Sequence, residues 1–317
     1  MNQPFAEDIV QGLSSAPKRL SSKYFYDDKG SRIFQQIMRM ESYYLTDAEF
    51  EIFNTKGEEM VHACSPDRST FRLVEFGAGD GLKTKVLIQN LINAGVEFTY
   101  TPIDISSGAL KGLEEDCTSQ WPGLQVEPLQ GDYFEALDRL IEAGDTQRKV
   151  ILFLGSNIGN FPRENALEFL SAIRDHMNPG DRLLIGFDLK KDPDVILAAY
   201  SDPEGITREF NLNLLDRINR EFGGNFDRNN WRHYASYDPL SGATKSFLLP
   251  TEDQTITLSA LEESFDFTAW EPVWMELSQK YDDAMIRDLA QTSGFDYLRA
   301  IRDTRRYFVE AIWEWAE

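Results

Sequence analysis

Cysteine is nearly absent from this chain. Its 317 residues hold two, Cys64 and Cys117, and three histidines, His62, His176 and His233. None stands at a metal or redox spacing, so the sequence carries neither a disulfide framework nor a zinc site, and no metal is expected. Long apolar runs are missing too: no stretch approaches the ~20 residues of a membrane span. The start, MNQPFAEDIV, lacks the basic and apolar regions of a secretory signal. Dense Lys/Arg stripes are also lacking, and the formal charge is -21. Such a surface repels phosphate backbones and anionic lipid, which argues against nucleic acid or a membrane as partner. Repeats, low-complexity tracts and Gly/Ser/Pro-rich linkers do not occur. The expectation is a cytoplasmic monomer acting on a small molecule, long enough for a large core with a second lobe.

What is present is alternation. RLVEF (72–76), FTYTPID, QVEPLQ, KVILFL and DRLLIGFDL read as strands. Between them LKTKVLIQNLI, SGALKGLEEDC, a segment from Phe134 and a segment from Pro162 read as helices. That order predicts an α/β fold with a doubly wound, mainly parallel sheet, whose ligands sit beyond the carboxyl ends of the strands. After Leu189 the pattern turns α+β. DPDVILAAY and ITREFNLNLLDRINREF read as helices, and WRHYASYD, ATKSFLL, QTITLS and VWMELSQKY as strands. The helix DDAMIRDLAQTSG and the aromatic tail YFVEAIWEWAE return the chain to the sheet as an antiparallel end. Two domains are therefore expected: 51–190 with 281–317, and an inserted lobe of 191–280 joined by 1–50.

Chemistry concentrates at strand ends. VEFGAGDG places Glu75, Gly77, Gly79 and Gly81 between a strand and a helix. Either this is a tight structural turn, or the glycines let backbone approach a nucleotide-like ligand. The pattern is ExGxGxG, with Leu82 where a dinucleotide fingerprint needs its third glycine. It resembles motif I of class I S-adenosylmethionine-dependent methyltransferases. Asp104 ends the next strand, where an acid can accept both ribose hydroxyls, and Asp132 and Tyr133 follow in GDYF, where they can address adenine. Each acid alone reads more readily as a helix cap than as a ligand, but acids at successive strand ends are harder to dismiss. FLGSNIGNF (153–161) poses the same choice for Asn157 and Asn160, because an asparagine ahead of Pro162 can cap the helix that follows.

Taken together, SKYFYDDKGSRIFQQIMRMESYYLTDAE, VEFGAGDGLKTKVLI, PIDIS, LFLGSNIGNFPRE, DLKKDPDVILAAYSDPEGITREFNLNLLDRINREFG and WMELSQKY resemble the L-histidine Nα-methyltransferases of ergothioneine biosynthesis over nearly the whole chain. The resemblance implies a class I (Rossmann-like) methyltransferase with an inserted α+β substrate-binding lobe. It also implies S-adenosyl-L-methionine as methyl donor, and repeated methylation of the α-amino group of L-histidine to the betaine hercynine. It carries donor-binding roles onto Gly77, Lys83, Asp104, Asp132 and Tyr133. The amino-acid site carries over onto Tyr43, Asn160, Tyr200, Glu276 and Ser278, with Tyr26 beside the substrate amine. Tyr26 and Asn160 are thus the residues expected at the reacting nitrogen. Ser246 departs from the pattern, standing where an apolar side chain is usual. Two alternatives stay open: a same-family N-methyltransferase for another amine, such as a tryptophan derivative, and a noncatalytic S-adenosylmethionine-binding module.

Overall fold

A computed structural model describes residues 3–142, 144 and 146–315. The chain divides into two compact units, one of residues 1–44 with 191–279 and one of 45–190 with 280–317. The division at Tyr44/Leu45, six residues before the expected one, has a packing reason. The helix Tyr44–Thr55 buries Ala48, Ile52 and Phe53 in the core of the larger unit.

In chain order the strands of the larger unit are β1 (Phe71–Phe76), β2 (Phe98–Asp104), β3 (Gln125–Val126), β4 (Leu129–Gln130), β5 (Lys149–Phe153) and β6 (Arg182–Asp188). The smaller unit supplies β7 (Trp231–Asp238), β8 (Ala243–Pro250), β9 (Gln254–Leu258), β10 (Glu263–Phe267) and β11 (Val273–Gln279). The chain closes with β12 (Asp296–Arg302) and β13 (Phe308–Glu314), again in the larger unit. Its sheet runs β12-β13-β6-β5-β1-β2-β3, with β4 also on β2. Pairing is parallel from β6 through β3 and β4, and antiparallel at β13 and β12. The order reverses between β1 and β5, which is where a ligand crevice belongs.

Alternation along the strands sorts the core into two layers, as a sheet covered on both faces requires. Phe71 and Leu73 of β1 join Val150 and Leu152 of β5 and Phe308 and Ile312 of β13 in one apolar cluster. Val74 and Phe76 join Ile151, Phe153, Val309 and Ala311 in the other. Helices Leu82–Asn93, Ser107–Gln120, Tyr133–Glu142 and Arg163–Asp175 follow β1, β2, β4 and β5. QVEPLQ, expected as one strand, is two short ones, because Pro128 offers no N–H to a ladder. The strands β10 and β12 went unread: β10 is only five residues long, and intermediate positions blur the period of two in β12.

The smaller unit has a core of its own. Phe5, Ile9, Leu13 and Phe25 from the N-terminal region pack with Phe210, Leu214, Ile218 and Phe222 of the helix Ile206–Phe222, and with Leu248, Val273 and Met275. Its sheets are β11-β8-β7 and β10-β9, all antiparallel. The segment before Tyr44 is tied to β11 by backbone: Trp274 N–H donates to Lys18 O and Leu20 N–H to Trp274 O. Among the described residues no helix is long and apolar enough to cross a membrane.

Candidate functional site

In the larger unit the expected donor residues gather at the carboxyl ends of β1, β2 and β4. The turn after β1 holds Gly77, Gly79 and Gly81 at φ of 65°, 54° and 62°. The first of these needs glycine on two counts: its φ is left-handed, and a Cβ there would lie 3.0 Å from the Tyr133 hydroxyl. Above Gly79 a Cβ would meet nothing within 4 Å, so the turn faces open space. Asp104 closes β2 and fixes this turn, its Oδ2 accepting from Gly79 N at 3.1 Å and its Oδ1 from Ser106 N at 2.8 Å. Each carboxylate oxygen keeps a lone pair for a ligand. Asp132 accepts from Phe134 N at 3.0 Å at the start of the helix after β4. Tyr133 stacks on Phe76 with centroids 4.7 Å apart, and burial, then Asp104 and Asp132, hold its hydroxyl protonated. An exposed glycine turn, an acid at the next strand end and a ring beside them fit a nucleoside with vicinal hydroxyls.

The loop after β5 is clamped from several sides. Ser156 sits at φ 55°, and its Oγ accepts from Asp188 N at 2.9 Å. Tyr281 Oη donates to Ile158 O at 3.3 Å. A short 3₁₀ turn covers Asn157–Asn160 and leaves the Asn160 side chain exposed. The helix that follows begins at Arg163, with Pro162 at its capping position and no side-chain cap. Capping therefore does not account for Asn160, and the local alternative fails because Phe161 and Pro162 intervene.

The remaining expected residues, Tyr26, Tyr43, Tyr200, Glu276 and Ser278, all belong to the smaller unit. Glu276 and Ser278 share a face of β11, opposite Ser246 and Thr244 of β8. Both β8 residues are buried, whereas Lys245 between them is exposed, so that face is polar and turned inward. Ser246, the departure from the family pattern, stands directly across from Glu276. Thr244 Oγ1 has no hydrogen-bond partner among the described residues, a buried polar atom a ligand can satisfy. Tyr200 ends the helix Pro193–Tyr200, and its hydroxyl meets Ser278 Oγ at 2.7 Å. Tyr26 packs edge-on against Phe34 and Phe210, with centroids 5.4 and 5.5 Å away. Desolvation, then the charges of Glu276 and Tyr200, push its hydroxyl far above the usual tyrosine range. Half of its surface is exposed, which limits desolvation, but all these causes act in one direction. Tyr43 packs against the same core, its ring 6.4 Å from Phe34.

Sequence reasoning missed a buried ionic group in the larger unit. Lys83 Nζ donates to Glu49 Oε2, Gly155 N donates to Glu49 Oε1 at 2.6 Å, and Glu310 is wholly buried beside them. Glu75, two residues before Gly77, accepts from Thr84 Oγ1 at 2.6 Å and from the Tyr100 hydroxyl, and burial lifts it to about 7. The signal available for this group was an acid at an inward position of a core strand, as at Glu75 in FRLVEF and Glu310 in FVEAIWE.

Comparison with known proteins places the chain in a family. The family described as "Histidine-specific methyltransferase, SAM-dependent" matches residues 5–315. A histidine N-alpha-methyltransferase of Mycolicibacterium smegmatis is 34% identical over 285 residues, 90% of this chain and 87% of that protein. Its Mycobacterium tuberculosis counterpart is 35% identical over 292 residues, 92% and 89% of the two chains. More distant is a 4-dimethylallyltryptophan N-methyltransferase of Claviceps fusiformis, 25% identical over 311 residues, 92% and 86%. The chain belongs to the histidine-specific, S-adenosylmethionine-dependent methyltransferase family, with a class I methyltransferase sheet and an inserted α+β lobe.

Proposed function

We propose that this enzyme transfers methyl groups from S-adenosylmethionine to the α-amino nitrogen of L-histidine, three times in succession, to give hercynine. The larger unit is the donor domain, with Gly77, Lys83, Asp104, Asp132 and Tyr133 as its ligands. The smaller unit carries the amino-acid site, with Tyr43 and Tyr200 at the carboxylate and Glu276 with Ser278 at the imidazole. Asn160, from the loop after β5, serves the amino-acid head group.

The observation that carries the reading is the paired polar face of β11. A carboxylate and a hydroxyl two residues apart, facing Ser246 and Thr244, offer acceptors to a ring N–H in a setting where an unmatched polar group is costly. When bound, the donor supplies an electrophilic methyl on a sulfonium sulfur. The chain's work is to hold a neutral amine in line with it, to exclude water and to let the new ammonium lose its proton before the next transfer. Asn160 orients that amine. Tyr26 stays protonated at neutral pH, so it serves as a hydrogen-bonding group and not as the base.

Purified protein incubated with S-adenosylmethionine and a panel of amino acids, with mass detection of products, tests the proposal. Expected is a histidine product heavier by three methyl groups. Preference for a tryptophan derivative would overturn the substrate, and no turnover on any amine would favour a binding module. The Asn160→Ala variant sharpens the test. Because Asn160 is no helix cap, its melting point should match wild type while turnover falls; a destabilised variant with normal turnover would remove Asn160 from the site.

A further inference from the structure

Three chain segments converge on the Glu49 side chain, which is 2% exposed. It joins Lys83 from the first turn of the helix after β1 and Gly155 N from the loop after β5, and it lies beside Glu310 from the middle of β13. The site is built to receive this carboxylate. Gly186 of β6 is the register partner of Glu310, and a Cβ there would lie 2.9 Å from Glu49 Oε1. Only glycine leaves room for the acid at that point of the sheet. Glu310 is fully buried, and neither of its oxygens meets an N–H or O–H donor among the described residues. The acid beside it is Glu49. An ionised carboxylate in that position would be unpaired and desolvated, beside a second carboxylate.

We propose that Glu310 lends Glu49 a shared proton, and that the two acids form a positioning unit setting the Lys83 ammonium and the Gly155 loop for the methyl donor. Two carboxylates, one proton and one ammonium carry no net charge, so the group is stable without water. Burial and the nearby Glu49 charge, only partly offset by Lys83, keep Glu310 protonated well above the ordinary glutamate range. The loop fixed through Gly155 is the one that presents Asn160, and Lys83 follows the glycine turn by two residues. One carboxylate thus links two of the segments assigned above to the reaction. Glu49 and Glu310 act through these groups and need not touch the donor.

The inference rests on reading the 77–160 strand ends as the donor site. Titration calorimetry with S-adenosylhomocysteine tests it on wild type, Glu49→Gln, Glu310→Gln and Glu310→Leu, with melts to confirm folding. Glu49→Gln and Glu310→Leu should bind at least about tenfold more weakly, while Glu310→Gln, whose amide N–H replaces the acid proton, should stay within about threefold of wild type. The Michaelis constant for histidine should rise in the same two variants, because the Gly155 loop presents Asn160, and Glu310→Gln should spare both readouts, a rescue that a general structural defect would not show. Wild-type affinity in Glu49→Gln or Glu310→Leu, or equal weakness of the Gln and Leu variants at Glu310, overturns the proposal. Infrared spectra of wild type guard against variants that do not fold. A protonated-carboxyl stretch should persist at about pH 8, where ordinary glutamates are ionised, and its absence overturns the shared proton. A wild type that binds S-adenosylhomocysteine but leaves histidine unmethylated sinks the substrate reading alone, whereas these outcomes decide the acid pair.

Discussion

The two units fix their candidate residues by different means. In the larger one, backbone does the holding: Asp104 is set by Gly79 N and Ser106 N, Asp132 by Phe134 N, and Glu49 by Gly155 N. In the smaller one, side chains hold each other, as Tyr200 with Ser278 and the polar face of β11 against β8. Ser106 and Phe134 lie two residues from the acids they set, and Gly79 and Gly155 lie in loops at strand ends, 25 and 106 residues from theirs. Side-chain-set groups depend on a core assembled from residues as distant as Phe5 and Met275. A sequence shows the first arrangement as a motif and scatters the second.

The sharpest way to break this comparison is at Glu276. If side-chain acceptors define the substrate, histidine should outrun leucine and phenylalanine by as much as ~10⁴-fold, because an analogue lacking the ring N–H leaves the site's polar atoms unpaired. Glu276→Ala should then raise the Michaelis constant for histidine and leave S-adenosylhomocysteine affinity nearly intact. Methyl-transfer rates on a set of amino acids decide it. Unchanged histidine kinetics in the variant would remove Glu276 from the site.

The corresponding change in the larger unit strikes backbone geometry. Gly77→Val imposes a branched side chain at φ 65° and against Tyr133, and Asp104→Ala removes the acceptor that sets Gly79. Strain of this kind and a lost charge-assisted hydrogen bond are each worth about 1.5 to 3 kcal/mol, or about 10- to 100-fold in donor affinity. Calorimetry with S-adenosylhomocysteine reads both. Folded variants that bind normally would show that the turn is structural only.

What was legible follows the same divide. The alternating strands and helices and the glycine turn were readable locally, because each strand-end residue lies beside the apolar run that positions it. The antiparallel return of YFVEAIWEWAE was readable too, and β13 does pair antiparallel, with β6. Tyr26, Tyr43, Tyr200, Glu276 and Ser278 came from the family resemblance, since no spacing relates residues 26 and 278 before the chain folds. Glu49 escaped for a third reason, since on its helix it reads as an ordinary surface acid until a core encloses it, and the inward position of Glu310 in FVEAIWE was passed over. The bias toward a capping Asn160 came from counting Pro162 as the first helical residue when it is the cap itself.

Acid and base should separate the units in opposite senses. Burial lifts Glu75, in the larger unit, from 4.5 to about 7. The folded state therefore keeps a proton that the unfolded chain releases, so this contribution is full below about pH 4.5 and is lost as pH rises to about 7. Burial lowers His233, in the smaller unit, from 6.5 to about 4. Its contribution is present above about pH 6.5 and is lost as pH falls toward 4. Each amounts to roughly 3 kcal/mol. Thermal melts across this range should show a decline toward neutral pH relieved by Glu75→Gln, and a decline toward acid relieved by His233→Phe. Parallel profiles for wild type and variants would show that neither group is linked to folding.

The smallest expected effect probes side-chain coupling itself. Tyr200 and Ser278 stand 78 residues apart in sequence and share a 2.7 Å hydrogen bond. If that bond presents the Ser278 oxygen to the imidazole, removing either partner loses the same interaction, and the second removal costs less than the first. A double-mutant cycle with Tyr200→Phe and Ser278→Ala, read in kcat/KM for histidine, should give a coupling of about 1 kcal/mol, the net worth of one neutral hydrogen bond. The matching cycle between Ser278→Ala and Asp104→Ala, whose residues belong to different units, should be additive to within about 0.5 kcal/mol. Additive behaviour for Tyr200 and Ser278 would mean that the two side chains serve the substrate separately. The smaller unit would then hold its ligands one at a time, as the larger one does.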